Sequence, residues 1–176
     1  MLSLSGCIQF AAPPPAPCPI KTLLIDTSQL DGNEWEEIGS RNTRGAPRSI
    51  GIERIGTSFS TPTQGVAVNH VYRFIDDERA VKGYKDRVDS WFKKMKTKTK
   101  WILPSVFRDL VLSTDNFELG CSILSRGPSD VERCQYIGHY GPYVTEISAD
   151  MLALTYDDFA VIILDIDQRM TKCLHK

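Results

Sequence analysis

The feature that most limits what this chain can fold into is a pair of cysteines set symmetrically about a turn. Cys121 and Cys134 lie on either side of Arg126-Gly127-Pro128-Ser129, a composition that marks a tight connection. The flanking segments, Asn116–Ser125 and Val131–Gly138, read as the arms of an antiparallel hairpin. Its midpoint falls between Gly127 and Pro128, and positions 121 and 134 are equidistant from that point. Residues so placed face each other, and a facing non-hydrogen-bonded pair comes within disulfide reach. A slip of one residue would send one sulfur to the other face of the sheet. The strand assignment does not use the cysteines, so the coincidence supports both the register and a bridge.

Three cysteines remain. Cys7 closes Leu4-Ser5-Gly6-Cys7, which fits a lipobox, the signal after which a lipoprotein is cut and lipidated on its first mature residue. A secretory leader needs a basic segment followed by an apolar one. The six residues before Cys7 carry no base, so this reading requires a longer leader upstream of Met1. After Cys7 comes Ala11-Ala12-Pro13-Pro14-Pro15-Ala16-Pro17, a stiff extended tether of the kind that spaces a domain from a membrane. With Cys7 lipidated, the other four cysteines are an even set, as expected in an oxidising compartment. They allow three connectivities. The hairpin pairing leaves Cys18–Cys173, which would staple the end of the tether to the last helix. The alternative is a cytosolic domain with five thiols and a frayed terminus.

Residues 1–19 are thus read as signal remnant, lipobox and tether, and 20–176 as one globular domain. The 176 residues are 41% hydrophobic and 24% charged, enough for a sizeable core. A formal net charge of -1 suggests neither nucleic acid nor an anionic surface as a partner. No apolar run is long enough to span a bilayer, so attachment would come through the lipid on Cys7.

The remaining pattern is mixed. Leu23-Leu24-Ile25 opens the domain, Asp31-Gly32-Asn33 is a turn and Trp35 caps a surface. Arg41–Arg48 reads as a loop and Ile50–Phe59 as a strand. Val66–Phe74 alternates as a strand should, with Val66, Val68, His70, Tyr72 and Phe74 on one face. Asp76–Met95 is expected to be helical, capped by Asp76 or Asp77, with Ala80, Tyr84, Val88, Trp91 and Met95 on its buried stripe. Residues 106–112 fit either a helical turn or a short strand. Tyr143–Ser148 is a strand after the Gly141-Pro142 turn. A second helix opens at Thr155 and buries Phe159, Ile162, Ile163, Ile166, Met170 and Leu174. Strands, helix, strands, helix predict an α+β fold: an antiparallel sheet with two principal helices on it and a disulfide-linked hairpin.

No G-x-S-x-G, H-E-x-x-H, P-loop or G-x-G-x-x-G occurs, and the cysteines and histidines show no metal-binding spacing. No cofactor is implied. His70 on its apolar strand face reads as a satisfied core or interface imidazole, and His175 is terminal. His139, in Gly138-His139-Tyr140-Gly141, is the one histidine placed for function. Asp165 and Asp167 point different ways from a helix and read as solvated. Asp76, Asp77, Asp157 and Asp158 are explained as helix N-terminal charge. Lys93–Lys100 is a solvated helix end, or a contact for anionic headgroups. Tyr136, His139, Tyr140 and Tyr143 form a candidate binding face, or else a sheet face covered by a helix.

From about Tyr72 onward the chain resembles a loosely defined group of bacterial lipoproteins. The residues that carry the likeness are Tyr84, Trp101, Leu103-Pro104, the Cys121/Cys134 pair, Arg133-Cys134-Gln135-Tyr136, Tyr140-Gly141-Pro142-Tyr143 and Ile166-Asp167. More faintly, the layout is similar to the extracytoplasmic sensor domains attached to mycobacterial serine/threonine kinases, with helices on a disulfide-linked antiparallel sheet. The likeness implies location and fold class and no reaction. The expected function is that of a lipid-anchored, extracytoplasmic, non-catalytic domain, at the cell surface or in the periplasm, that binds a ligand or protein partner. Its rivals are a subunit or assembly factor of a membrane-associated complex, and a secreted hydrolase using His139 with a nearby carboxylate.

Overall fold

A computed structural model describes residues 18–30, 35–44, 52–62, 65–126 and 129–175. The lipobox, the tether, the Asp31-Gly32-Asn33 turn and Gly127-Pro128 lie outside the described residues. Six antiparallel strands form one sheet: β1 (Glu36–Arg44), β2 (Glu53–Ser60), β3 (Val66–Arg73), β4 (Asn116–Arg126), β5 (Ser129–Tyr140) and β6 (Tyr143–Asp150). Their spatial order is β1-β2-β3-β6-β5-β4. Two three-stranded meanders are therefore joined where β3 pairs with β6. Helix α1 (Asp77–Val88) follows β3, and α2 (Tyr156–Leu174) ends the chain. The α+β class expected from the sequence is the one found.

The hairpin register is the one the cysteines require. Cys121 pairs with Cys134 across β4 and β5, with their Cα atoms 4.0 Å apart and their sulfurs bonded. Cys18 and Cys173 form the second bridge. It fastens the first 3-10 turn, Ile20–Leu23, beside α2. Ile20, Leu23, Leu24, Ile25 and Leu30 are all buried there, so the opening segment is part of the core.

The two helices cover opposite faces. α2 packs Phe159, Ile162, Ile163, Ile166 and Met170 against Val71, Tyr136, Tyr140 and Ile147 in the larger core. α1 brings Ala80, Tyr84 and Val88 to a smaller cluster with Tyr72, Phe74, Ile137 and Val144. A sheet buried on both faces loses the clean apolar-polar alternation of a one-sided sheet. This explains why eight successive residues of β6 are buried.

Several elements differ from expectation. Arg41–Arg44 continue β1 instead of opening a loop. β1 is an edge strand of mostly polar residues, so its backbone pairing with β2 left no apolar signature. The first helix is α-helical only to Val88 and continues as a π-helical turn over Asp89–Lys94. The ambiguous stretch is a single 3-10 turn, Ser105–Phe107, followed by a turn and chain without regular structure. Asp167, expected to be solvated, is buried. It accepts hydrogen bonds from the Tyr140 hydroxyl at 2.9 Å and from the Ser113 amide at 2.9 Å. Its neighbour Asp165 pairs with Arg169 at 2.7 Å. At the helix starts Asp76 caps α1, and Thr155 and Asp158 form a capping box on α2. No helix among the described residues is long and apolar enough to cross a membrane.

Candidate functional site

α1 is short, and the apolar cluster beneath it occupies one end of its sheet face. At the other end that face holds polar side chains and open volume. A groove of about 410 Å³ is lined by Ile38, Arg54, Gly56, Ser58 and His70. A pocket of about 140 Å³ shares His70 and continues past Arg87, Trp91, Arg133, Gln135 and Glu146.

The site is organised by one carboxylate. Glu146 sits in the middle of central strand β6 and is 3% exposed. A charge buried this deeply persists only if it is paired. Arg87 donates two hydrogen bonds to it, from Nε at 2.8 Å and Nη2 at 2.7 Å. The Tyr72 hydroxyl donates a third at 2.7 Å, and His70 Nδ1 lies 3.0 Å away. Burial by itself would push the Glu146 carboxyl up. The His70 hydrogen bond, the Arg87 charge and the Tyr72 hydroxyl outweigh burial and hold it down at about 2. Burial also works against the Arg87 charge, but Glu146 outweighs that and raises Arg87 further. Tyr72 is pushed well above the usual phenol range, first by burial and then by the Glu146 charge.

The network fixes a histidine tautomer. Arg54 Nη2 lies 2.9 Å from His70 Nε2. A guanidinium only donates, so Nε2 is the acceptor and the ring hydrogen is on Nδ1, directed at Glu146. Arg54 and Arg87 both lie over the Tyr72 ring, 5.4 and 5.5 Å from its centroid. Arg133 is held by Asp150, its Nε donating at 2.7 Å. The region thus gathers three guanidinium groups against two carboxylates. Arg54 makes its hydrogen bond to a neutral ring and borders the larger groove. Its charge remains available to an anion.

Two further groups lining the pocket have unused hydrogen-bonding capacity. The Gln135 side chain is fully buried, and its Oε1 has no hydrogen-bond partner among the described residues. The indole Nε1 of Trp91 likewise has none. An acceptor and a donor left over in one polar recess are what a polar ligand would satisfy.

The residues expected to form a binding face are elsewhere. Tyr136, Tyr140 and Tyr143 are at most 1% exposed and belong to the core under α2. The Tyr136 and Tyr140 hydroxyls are hydrogen-bonded at 2.8 Å, and Tyr140 donates onward to Asp167. These tyrosines lie on central strands β5 and β6, where both faces are covered, so the covered-face alternative is the one realised. His139 is also buried, beside Asp77 and Asp115. Neither the groove nor the pocket includes it. Of the basic patch, Lys93 pairs with Asp89 and Lys98 with Asp130. Cys7 lies outside the described residues.

Among the residues of this site, sequence reading weighed only His70 as a possible ligand, and read it as satisfied; Tyr72 and Trp91 were placed on apolar faces. Arg54, Arg87, Gln135 and Glu146 come from four elements, and no local pattern links them. The one signal was Glu146 among Val144, Thr145 and Ile147, a carboxylate set among β-branched residues.

The architecture is shared with the extracellular domain of a mycobacterial kinase. That domain belongs to PknH from Mycobacterium tuberculosis; it superposes with a TM-score of 0.63 at 10% sequence identity, covering 87% of this chain and 95% of that one. At such low identity the likeness is one of fold, and it matches the fainter of the two resemblances read from the sequence. No family model matches the chain, and no curated protein sequence matches it.

Proposed function

We propose that this chain is an extracytoplasmic, non-catalytic domain, lipid-anchored through Cys7, that binds a small polar anion in the groove beside Arg54. The observation that carries the ligand reading is the polar recess itself. It combines the Arg54 guanidinium of the groove, hydrogen-bonded among the described residues to the His70 ring, with Gln135 Oε1 and Trp91 Nε1 of the adjoining pocket, both unsatisfied among the described residues. The supporting network is preorganised: Glu146 and Arg87 lock His70, and His70 orients Arg54. Location rests on the lipobox and tether, with support from two disulfides and a fold shared with an extracellular domain. A sensor or accessory role is supported by the His70 ring of the groove, which among the described residues is hydrogen-bonded to Arg54 and Glu146 and to no hydroxyl.

Trp91 supplies the readout. Its fluorescence is titrated with a panel of phosphates, sulfates and di- and tricarboxylates. At least one anion is expected to give a saturable change, weakened at least tenfold by Arg54→Ala. A silent panel, or a response that Arg54→Ala leaves intact, would refute the reading. The anchor is tested separately. Cys7→Ser in the full precursor should move the protein from the membrane to the soluble fraction, and lipid mass should be found on Cys7 of the wild type. Wild type that is already soluble and carries no lipid would end that part of the proposal.

A further inference from the structure

At the opposite end of α1 from the groove, three segments distant in sequence meet. Asp77 lies in the first turn of α1, Asp115 precedes β4, and His139 is on β5. One ligand atom from each can be chosen so that all lie within 4.8 Å of one another. Two acidic groups near a surface are common and mean little alone. The informative member is His139.

The His139 side chain is 2% exposed, while those of Asp77 and Asp115 are 65% and 57% exposed. Among the described residues, neither ring nitrogen of His139 has a hydrogen-bond partner. Nε2 nevertheless lies 3.0 Å from Asp77 Oδ1. The contact is short enough for a hydrogen bond but lacks the alignment of one. Two atoms that bind the same ion stand in this relation. Ligand atoms each about 2.1 Å from an ion sit roughly 3.0–3.4 Å apart, with the oxygen off the axis along which the ring nitrogen points. Nδ1 lies 3.8 Å from Asp115 Oδ2, too far for a hydrogen bond.

Neither carboxylate is consumed by capping the helix, and Asp115 is held in place. Helix capping is done by Asp76, whose side chain accepts from the Arg79 amide, so Asp77 is not needed for it. Asp115 is fixed to β5 by its own amide, which donates to the His139 carbonyl at 3.0 Å. Its Oδ2 accepts from the Gly141 amide at 2.9 Å, an outer contact that orients the carboxylate. Gly141 holds that amide in a turn with φ of 50°, a conformation glycine favours.

We propose that Asp77, Asp115 and His139 bind one divalent transition-metal ion. One imidazole and two carboxylates suit zinc or manganese better than magnesium or calcium, which prefer all-oxygen sites. Both carboxylates face solvent, so remaining coordination positions would be open to water or to a partner's side chain. The ion would tie the start of α1 to the β4–β5 hairpin.

The test uses the full chain with Cys7→Ser, which removes the one cysteine outside the two disulfides. Zn²⁺ binding is measured calorimetrically and Co²⁺ binding by visible absorption. One ion per chain is expected. Asp77→Asn and Asp115→Asn, both exposed positions, should each weaken binding at least tenfold while the apo protein melts as before. Zn²⁺ should raise the melting temperature of the parent and not of either variant. Three results would overturn the proposal: no saturable binding below millimolar Zn²⁺, affinity unchanged in both variants, or binding abolished by His175→Gln instead.

Discussion

The imidazole of His70 occupies the space that a β-carbon on Gly56 would fill. The two residues are direct partners across β2 and β3. A β-carbon built on Gly56 overlaps the His70 ring atoms Cδ2 and Nε2. The missing side chain on one strand is what lets the ring on the next lie between Arg54 and Glu146. His70 cannot retreat freely, because Glu146 holds its far side.

Gly56→Ala should therefore displace the ring and break the Arg54 contact. We expect a loss of about 1–3 kcal/mol, typical of an added methyl in a tight site. A urea midpoint lower than wild type at unchanged slope would show it. The same variant should lose the anion response of Trp91. A Gly56→Ala protein as stable and responsive as wild type would mean that the ring is not confined there.

Glu146 makes the groove sensitive to acid. Its carboxyl is held at about 2 in the folded protein against an ordinary 4.5. A group lowered on folding stabilises the native state above its unfolded value, and that contribution fades as pH falls through 4.5 towards 2. The contribution is roughly 3 kcal/mol, lost progressively below about pH 5. Glu146→Gln should be less stable at pH 7, because Arg87 loses its counter-charge in a half-buried site. It should also show a shallower decline between pH 5 and 3. Parallel stability curves for the two proteins across that range would contradict this assignment.

The difference between what was legible in the sequence and what was not follows from the range of the signals. The hairpin was legible because Cys121 and Cys134 share a local midpoint, and the register found is the one that midpoint demands. α2 was legible because Phe159, Ile162, Ile163, Ile166 and Met170 repeat at helical spacing and are all buried. β1 was partly lost because an edge strand such as Glu36–Arg44 is held by backbone bonds, which leave no side-chain pattern. The binding site was lost for a different reason. Arg54, His70, Arg87 and Glu146 are brought together by the β3–β6 junction and by α1, through contacts that join them across as many as 76 positions and that no window reveals. Tyr136, Tyr140 and Tyr143 stayed open between a binding face and a covered one because aromatic side chains on central strands and on exposed faces look the same in sequence.

Asp167 offers a sharp check on the larger core. It accepts from the Tyr140 hydroxyl and the Ser113 amide, so removing it strands two donors. Asp167→Ala is expected to cost about 2–3 kcal/mol, whereas Asp167→Asn keeps an acceptor oxygen and should recover more than half of that. A solvated aspartate would give less than about 0.5 kcal/mol for either change. Guanidinium melts of the two variants distinguish the cases directly.

The two disulfides should differ in what they contribute. Cys121–Cys134 spans a separation of 13 residues and Cys18–Cys173 one of 155. In the chain-entropy account these loops correspond to about 3 and about 5 kcal/mol. The longer bridge also pins Ile20, Leu23 and Leu24 against the rest of the core, so its loss frees an apolar segment as well as the unfolded chain. Cys18→Ala with Cys173→Ala should therefore destabilise by roughly 2 kcal/mol more than Cys121→Ala with Cys134→Ala. Hydrogen exchange should show the extra loss first in residues 18–30, where the segment can open locally before the sheet does. Non-reducing peptide mapping of the wild type should recover both bridges and no other pairing. Equal costs for the two double variants, with 18–30 still protected, would mean that the segment is held by packing and that the longer bridge adds little.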